Sequence, residues 1–99
     1  MATIPILSKL VDAQEMHRQH PDTFEVPSDH ELMTIVPGNF VKVSRNNERF
    51  WLRVIGASGK YLIGSVDSML VSNPGIDHGK IVRFEHRHIY TVMRLRHDA

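Results

Sequence analysis

A chain of 99 residues with 41% hydrophobic and 23% charged side chains has the composition of one ordinary globular domain and is too short for a second core. The absence of cysteine excludes disulfides, thiol nucleophiles and thiolate metal sites. No apolar run approaches the roughly 20 residues that span a bilayer, and the first residues lack the pattern of a secretion signal. We therefore expect a cytoplasmic protein with no membrane partner.

The net charge of +1 conceals an uneven distribution along the chain. Residues 1–39 carry two basic and six acidic side chains, a net charge of −4, whereas residues 40–99 carry ten and five, a net charge of +5. One alternative, which we expect in so short a chain, is that the two parts pack together and neutralise each other. The other is that the basic part faces an anionic partner.

Two helices are predicted in the acidic part. Residues 5–20 form the first, because apolar residues recur at helical spacing until Pro21 stops the pattern. The recurring apolar positions are Ile6, Leu7, Leu10 and Val11. After a short extended segment at residues 24–27, Ser28 and Glu31 have the spacing of a capping box that begins a second, short helix.

From residue 40 onward the apolar period changes from that of a helix to that of a strand. Five strands are predicted, at residues 40–45, 50–55, 60–66 and 80–85 and in a last segment that ends near residue 94. Turn-forming residues separate them at 46–48, 56–59, 72–79 and 87–89. Gly64 lies inside the third strand, which predicts a bulge or a close backbone approach there.

Five short strands in so few residues favour a sheet that closes on itself, because closure hides the strand edges and shares one core. The predicted fold is α+β: a small SH3-like antiparallel β-barrel, with an OB-like barrel as the alternative, whose open end the first helix covers. Residues 1–99 are then a single domain, with a helical portion at 1–39, the barrel at 40–94 and a frayed tail at 95–99.

The basic part also contains a recognisable series of motifs. They are Pro37-Gly38-Asn39-Phe40-Val41-Lys42-Val43, Glu48-Arg49-Phe50-Trp51-Leu52-Arg53-Val54, Gly64-Ser65-Val66-Asp67 and Gly79-Lys80-Ile81-Val82-Arg83-Phe84, followed by His88-Ile89. Together with Phe24-Glu25-Val26-Pro27, this pattern resembles a small bacterial domain family of unknown function over residues 20–93. That family usually has an acidic residue where Asn39 stands. The resemblance implies a bacterial or phage origin and a small β-rich fold, and it implies no activity.

The segment around Trp51 is the strongest candidate for a binding surface. Because alternate residues of a strand share a side, burial of Phe50, Leu52 and Val54 leaves Trp51 partly exposed beside Arg53. An exposed aromatic ring flanked by cations is how small barrels hold a peptide or a single nucleic-acid strand. The predicted binding residues are Lys42, Trp51, Arg53, Tyr61 and Arg83, with Asn73 and His78 in a loop that forms a lip. Alternatively, Trp51 packs beneath the N-terminal helix, as a lone tryptophan in a small domain commonly does.

Seven histidines are many for a chain of this length. His86 and His88 share a side if their strand is regular, but they are weak metal candidates because zinc requires three or four ligands. We therefore predict no metal and no cofactor. The sequence has no nucleophile elbow, phosphate loop or dinucleotide motif, and its acids and histidines have no recognisable catalytic spacing.

The leading hypothesis is a non-enzymatic interaction module that binds a protein partner or a second copy of itself, with the acidic first helix docking on a neighbouring basic barrel. A barrel that binds single-stranded nucleic acid is the alternative, because arginines interleaved with aromatic rings also contact phosphates. A metal- or carboxylate-dependent enzyme is the second alternative, and it requires several histidines and acids in one cleft.

Overall fold

The computed structural model describes residues 3–94, which form a small α+β domain as predicted. The helices are α1 (Ala13–Gln19) and α2 (Asp29–Met33), with a 3-10 helix at His86–His88. The strands are β1 (Phe40–Arg45), β2 (Glu48–Ser58), β3 (Tyr61–Val66), β4 (Ile81–Phe84) and β5 (Thr91–Met93). The predicted tail at 95–99 lies outside the described residues. No helix within residues 3–94 has the length and apolar character needed to cross a membrane.

The five strands form one antiparallel sheet in the order β4-β3-β2-β1-β5. Within residues 3–94 the edge strands β4 and β5 do not pair with each other, so the sheet does not close into the predicted barrel. The outer edge of β4 is occupied by the N-terminal segment instead, since Ile6 forms a parallel bridge with Arg83. Because the backbone groups of Arg83 on this edge already have hydrogen-bond partners, a further strand cannot pair with β4 at that position.

The core lies on one side of this sheet and is built from alternating residues of the strands. The largest fully buried side chains are Val41, Val43, Phe50, Leu52, Val54, Val66, Val82 and Phe84 of the strands, together with Ile89, which follows the 3-10 helix. The predicted core side of the second strand is thus confirmed. Burying each such side chain is worth about 1.5–3 kcal/mol relative to leaving it in water, so the period-two pattern determines which side of each strand faces inward.

Gly64 marks the close approach that its position predicts. A Cβ atom at this residue would lie 2.9 Å from Phe84 Cε1 and 3.2 Å from the Arg53 carbonyl oxygen. The pairing register of β2 shifts between Val54 and Gly56, directly opposite this part of β3. A register shift of this kind bends the strand, and only glycine leaves room for the backbone of β2 and the ring beneath it.

The predicted helix over residues 5–20 is correct only in its second half. α1 begins after Asp12, whose carboxylate accepts a hydrogen bond from the Glu15 amide at 3.0 Å. This N-cap satisfies one of the free amides of the first helical turn. Upstream, Lys9 has a φ of 63°, a conformation through which a right-handed helix cannot continue. The helix ends before Pro21, as predicted.

Residues 4–11, which we call the N-terminal strap, run along the sheet. The Leu7 amide donates to the Arg83 carbonyl of β4 at 2.9 Å, and the Val11 amide donates to the Ser44 carbonyl of β1 at 2.9 Å. Leu7 is buried in the same core as the strands. The strap therefore buries Leu7 and forms hydrogen bonds with the edge of β4 in an extended conformation, while Ile6 stays 50% exposed. A helix in this position would leave the backbone groups of that edge without these partners.

The remaining elements differ from the prediction mainly at one turn. The first strand, the capping box of α2 and the long loop before β4 are confirmed. The first hairpin turns at Asn46 and Asn47, whose φ values of 52° and 60° suit a two-residue connection. The turn predicted at residues 56–59 exists but was placed too early, because β2 continues to Ser58 and the chain reverses at Gly59 and Lys60. The small residues before that point belong to a bulged strand, which resembles a turn in sequence.

Two arginines attach the helices to the rest of the chain. Arg87 donates to Asp12 at 3.0 Å and to Glu85 at 2.9 Å, which joins α1 to the 3-10 helix. Arg94 Nη2 donates to the Glu31 carbonyl of α2 at 2.8 Å. Among residues 3–94, the expected neutralisation of the acidic part by the basic part is limited to the Arg87–Asp12 ion pair.

Candidate binding face

Trp51 lies on the side of β2 that faces away from the core. Its direct partner in the register is Lys42 of β1, whose Nζ lies 4.8 Å from the centroid of the indole ring. The indole of Trp51 is half-buried. The helix α1, which the alternative prediction placed over Trp51, packs against the 3-10 helix. The Trp51 amide donates to Ser68 Oγ at 3.0 Å, and its carbonyl accepts from the Asp67 amide at 2.9 Å. The start of the loop after β3 therefore holds this part of β2 in place.

Arg53 is the next residue along the same side of β2. Its side chain is exposed and makes no ion pair with residues 3–94. The predicted cation beside Trp51 is therefore present, although the ammonium of Lys42, rather than this guanidinium, covers the ring. We call Lys42, Trp51 and Arg53 the Trp cluster.

Tyr61 forms a second cluster at the far end of the sheet. The Arg83 guanidinium carbon lies 5.0 Å from the centroid of its ring, and Lys60 Nζ lies 5.3 Å from it. Arg83 Nε also donates to the Ile4 carbonyl at 2.7 Å, so the same side chain fastens the N-terminal strap. The sequence analysis missed Lys60, which we include with Tyr61 and Arg83 in the Tyr cluster.

The structure does not bring the two clusters into one compact pocket. Tyr61 pairs with Ser58, which lies seven residues beyond Trp51 along β2. Because the bulge adds one residue to β2, this separation corresponds to about six steps of the sheet, so the two rings are roughly 20 Å apart at about 3.3 Å per residue. Arg53 and Arg83 are closer to each other, since their register partners on β3 are two residues apart. We call the two clusters and the sheet surface between them the cationic face. Its shape is that of a long stripe.

The charge of the cationic face is unbalanced. None of its four basic side chains forms an ion pair with another residue between 3 and 94. None of the five strands contributes an aspartate or glutamate to this side. Asp67, which directly follows β3 and bonds through its amide to the Trp51 carbonyl, is an exposed acid beside the Trp cluster. Exposed apolar side chains share the surface: Ile55 is 43% exposed, Ile81 44% and Met93 46%. The stripe therefore combines unpaired positive charge with apolar area.

Asn73 lies in the loop between β3 and β4, where it holds the loop together. It is only 2% exposed, and its Nδ2 donates to the Arg45 carbonyl at 3.0 Å and to Glu48 Oε1 at 2.9 Å. The same Glu48 carboxylate accepts from the amides of Val71 at 2.8 Å and Ser72 at 2.9 Å. These hydrogen bonds, that of Val71 first, hold the pKa of Glu48 below its ordinary value. Asn73 is therefore a buried residue that, with Glu48, fixes the loop to β1 and β2, and it is not an exposed lip residue as predicted. We call the hydrogen bonds of Glu48 and Asn73 the loop anchor.

His78, the other predicted lip residue, is exposed near the end of this loop. Its Nε2 lies 3.5 Å from Asp67 Oδ1, which joins the two ends of the loop when the imidazole is protonated. Asp67 directly follows β3, so this histidine lies beside the cationic face and not within it.

The two weak metal candidates belong to the 3-10 helix and not to a strand, so the predicted shared side does not form. His88 is 7% exposed, and its Nδ1 accepts from the Glu85 amide at 3.2 Å. Burial is the main cause that lowers the pKa of His88. Among residues 3–94, no three histidine, aspartate or glutamate side chains come together as a set of metal ligands.

Sequence reasoning also missed how the segment after α1 is held. Arg49 of β2 places its guanidinium carbon 4.8 Å from the ring centroid of Tyr90 and 6.0 Å from that of Phe24. A groove of about 470 Å³ lies between residues 22–27 and β5. The sequence signal was the alternation of Phe24 and Val26 with polar residues, which had indicated only an extended segment.

Comparison with family models, with curated proteins and with solved structures finds no match for this chain. The resemblance to a bacterial family therefore stays a prediction. The geometry and charge of the cationic face are the grounds for a functional proposal.

Proposed function

We propose that this protein is a non-enzymatic interaction module that binds an acidic, extended segment of a partner protein along its cationic face. The observation that carries the proposal is the set of four basic side chains without an ion pair among residues 3–94, beside two aromatic rings on a side to which none of the five strands contributes an acid. Unpaired surface charge of one sign attracts a partner of the opposite sign and orients its approach.

The length of the stripe supports an extended partner. Because an extended chain advances about 3.3–3.6 Å per residue, about six residues span the roughly 20 Å between the two rings. An extended segment of this length follows both rings and passes Arg53 and Arg83, which lie between the rings along the sheet.

The apolar side chains on this surface favour a protein over nucleic acid. Ile55, Ile81 and Met93 offer apolar area to the side chains of a peptide, which a phosphate backbone does not use. Both aromatic rings are already covered by cations of this chain, so a nucleic-acid base would first displace Lys42 or Arg83 in order to stack. We therefore rank single-stranded nucleic acid second.

The proposal includes an SH3-like arrangement of the sheet and a bacterial or phage origin. The strand order, in which β5 returns beside β1 after a four-strand meander, supports the first, as does the 3-10 helix before β5. The second rests on the sequence resemblance alone.

Charge reversal at Arg53 tests the proposal. The probe is a fluorescein-labelled hexapeptide in which glutamate alternates with isoleucine, and its binding is measured by fluorescence anisotropy at low ionic strength. We expect Arg53→Glu to weaken binding about tenfold, which is about 1.4 kcal/mol. The melting temperature should not change, because the side chain is exposed and unpaired within residues 3–94.

Lys9→Glu is the matched control, because it makes the same charge change on the N-terminal strap. If both variants weaken peptide binding equally, the loss results from the change in net charge and not from the position of Arg53, which would contradict the proposal. Absence of peptide binding to the wild-type protein would also contradict it. Tighter binding of an oligothymidylate than of the peptide, with loss at physiological salt, would replace the protein partner by nucleic acid.

A further inference from the structure

We infer that the acidic segment recognised by the cationic face is supplied by a second copy of this chain, through its residues 22–29. We call these residues the acidic arm. This inference rests on the proposed function, because it names the partner of the same face. It replaces the first helix as the docking element, since Asp12 and Glu15 of that region pair with Arg87 and Arg18.

The acidic arm has the chemistry that the cationic face requires. Asp22, Glu25 and Asp29 are exposed, and none of them forms an ion pair with another residue in the described part of the chain. Phe24 and Val26 lie between them and are half-buried. The arm therefore presents three unpaired carboxylates, which complement the unpaired cations of the cationic face.

The arm is also held in place before it binds. The ring centroids of Phe24 and Tyr90 are 6.2 Å apart, and the Arg49 guanidinium lies against both rings. His17 Nδ1 donates to the Phe24 carbonyl from α1. Beyond Phe24, the chain is extended until the capping box at Ser28 begins α2. A segment ordered in the free protein loses less conformational entropy when it docks.

The lengths of the two surfaces agree. Asp22 and Asp29 are seven residues apart, so they are separated by no more than about 25 Å. The cationic face measures roughly 20 Å between its two rings. Within one molecule the two surfaces do not pair, since no ion pair joins the arm to Lys42, Arg53 or Arg83 among residues 3–94. A pairing of the two surfaces therefore requires two copies, with the arm of one molecule on the face of the next.

Sedimentation velocity of the full chain tests this inference. We expect the wild-type protein to associate with rising concentration at low salt and to dissociate as salt is added, because exposed charges are screened. Arg53→Glu, which alters the face, and Glu25→Lys, which alters the arm, should each raise the dissociation constant at least about tenfold. Asp77→Lys is the control for the arm, because it makes the same charge change at an exposed acid of the loop before β4.

Mixing the two variants separates this contact from general charge effects. Molecules with Arg53→Glu keep an intact arm and molecules with Glu25→Lys keep an intact face, so the mixture should form a 1:1 complex that neither variant forms alone. Both changes in one chain should restore self-association by exchanging the charges. Failure of the mixture and of the double variant to associate would overturn the inference.

The inference and the proposed function fail in different ways. If the acidic hexapeptide binds but the wild-type protein remains monomeric at low salt, the second copy is not the partner and the proposed function stands. If the hexapeptide does not bind, the proposed function fails. Circular dichroism and melting curves verify that each variant folds, which we expect because Arg53, Glu25 and Asp77 are all exposed.

Discussion

Replacement of Gly64 by alanine probes how closely β2, β3 and the core ring pack at the bend of the sheet. The added methyl group would lie 2.9 Å from Phe84 Cε1, 3.2 Å from the Arg53 carbonyl oxygen and 3.3 Å from Leu52 Cβ. Phe84 is fully buried, so its ring has no free space into which to swing. The Arg53 oxygen belongs to the backbone of β2, which moves only if the sheet pairing moves. The methyl group must therefore push strand and ring apart.

The cost follows from what is known of overpacked cores. Inserting a methyl group into a well-packed interior costs about 1–3 kcal/mol. Alanine also restricts the unfolded chain relative to glycine, which returns about 0.4–1 kcal/mol. Taking the middle of each range, the net destabilisation of Gly64→Ala is about 1.3 kcal/mol, and its upper limit is about 2.6 kcal/mol. For a domain of this size, each kcal/mol lowers the melting temperature by about 4–8 °C, so we expect a decrease of about 5–15 °C.

Urea and thermal unfolding followed by circular dichroism measure this decrease. Gly56→Ala is the matched control, because Gly56 lies in the adjacent strand with no atom within 4 Å of its Cβ position. Gly56→Ala should leave stability unchanged or raise it by up to about 1 kcal/mol. Equal effects of the two substitutions, or a neutral Gly64→Ala, would refute the close approach described here.

Two further predictions concern buried or anchoring ionisable groups. Burial lowers the pKa of His88 below its ordinary value of 6.5 in the folded protein. As the pH falls, the imidazole is therefore protonated in the unfolded chain before it is protonated in the folded protein. The contribution of His88 to the free energy of unfolding should be fully present above pH 6.5 and decrease as the pH falls below it. Melting temperatures measured from about pH 7.5 to about pH 5 should fall less steeply with pH for His88→Gln than for the exposed control His30→Gln. An equal fall in the two variants would contradict this prediction. Glu48→Gln should speed hydrogen exchange at the Val71 and Ser72 amides, which its carboxylate holds. Because those hydrogen bonds lower the pKa of Glu48 from 4.5, the anchor should persist above pH 4.5 and be lost as the pH falls through the lower value of the folded state; unchanged exchange in the variant would refute the anchor.

The strands were the most predictable part of this fold. Residues 40–45 alternate in polarity, and the observed β1 has the predicted bounds, because each buried side chain of a strand adds to the same core. α2 was predictable from Ser28 and Glu31, since a capping box satisfies helix amides within four residues of chain. In both cases the stabilising interactions are local or follow directly from polarity, so neighbouring residues contain the information.

The candidate site was predictable only in its residue types. Alternation placed Trp51 and Arg53 on the outer side of β2, and the structure confirms that placement. Their separation from Tyr61 depends on where β2 ends, and the bulge that extends this strand to Ser58 was not visible in the turn-like residues before it. Asn73 has the composition of a turn, and its role in the loop anchor depends on Glu48, which lies 25 residues away in the chain.

The sequence alone determined the class of this protein: a small α+β domain with period-two strands, a capped short helix and a charge that changes sign near residue 40. Only the tertiary structure decided that residues 4–11 form an extended strap and not a helix, because apolar spacing there suits both forms. The hydrogen bonds that select the strap come from Arg83 and Ser44, far away in the chain. The same long-range contacts decided that the sheet stays open and that its unpaired cations form a stripe. Polarity patterns are set by each residue and its neighbours, whereas strand edges and charge pairing exist only once distant segments meet.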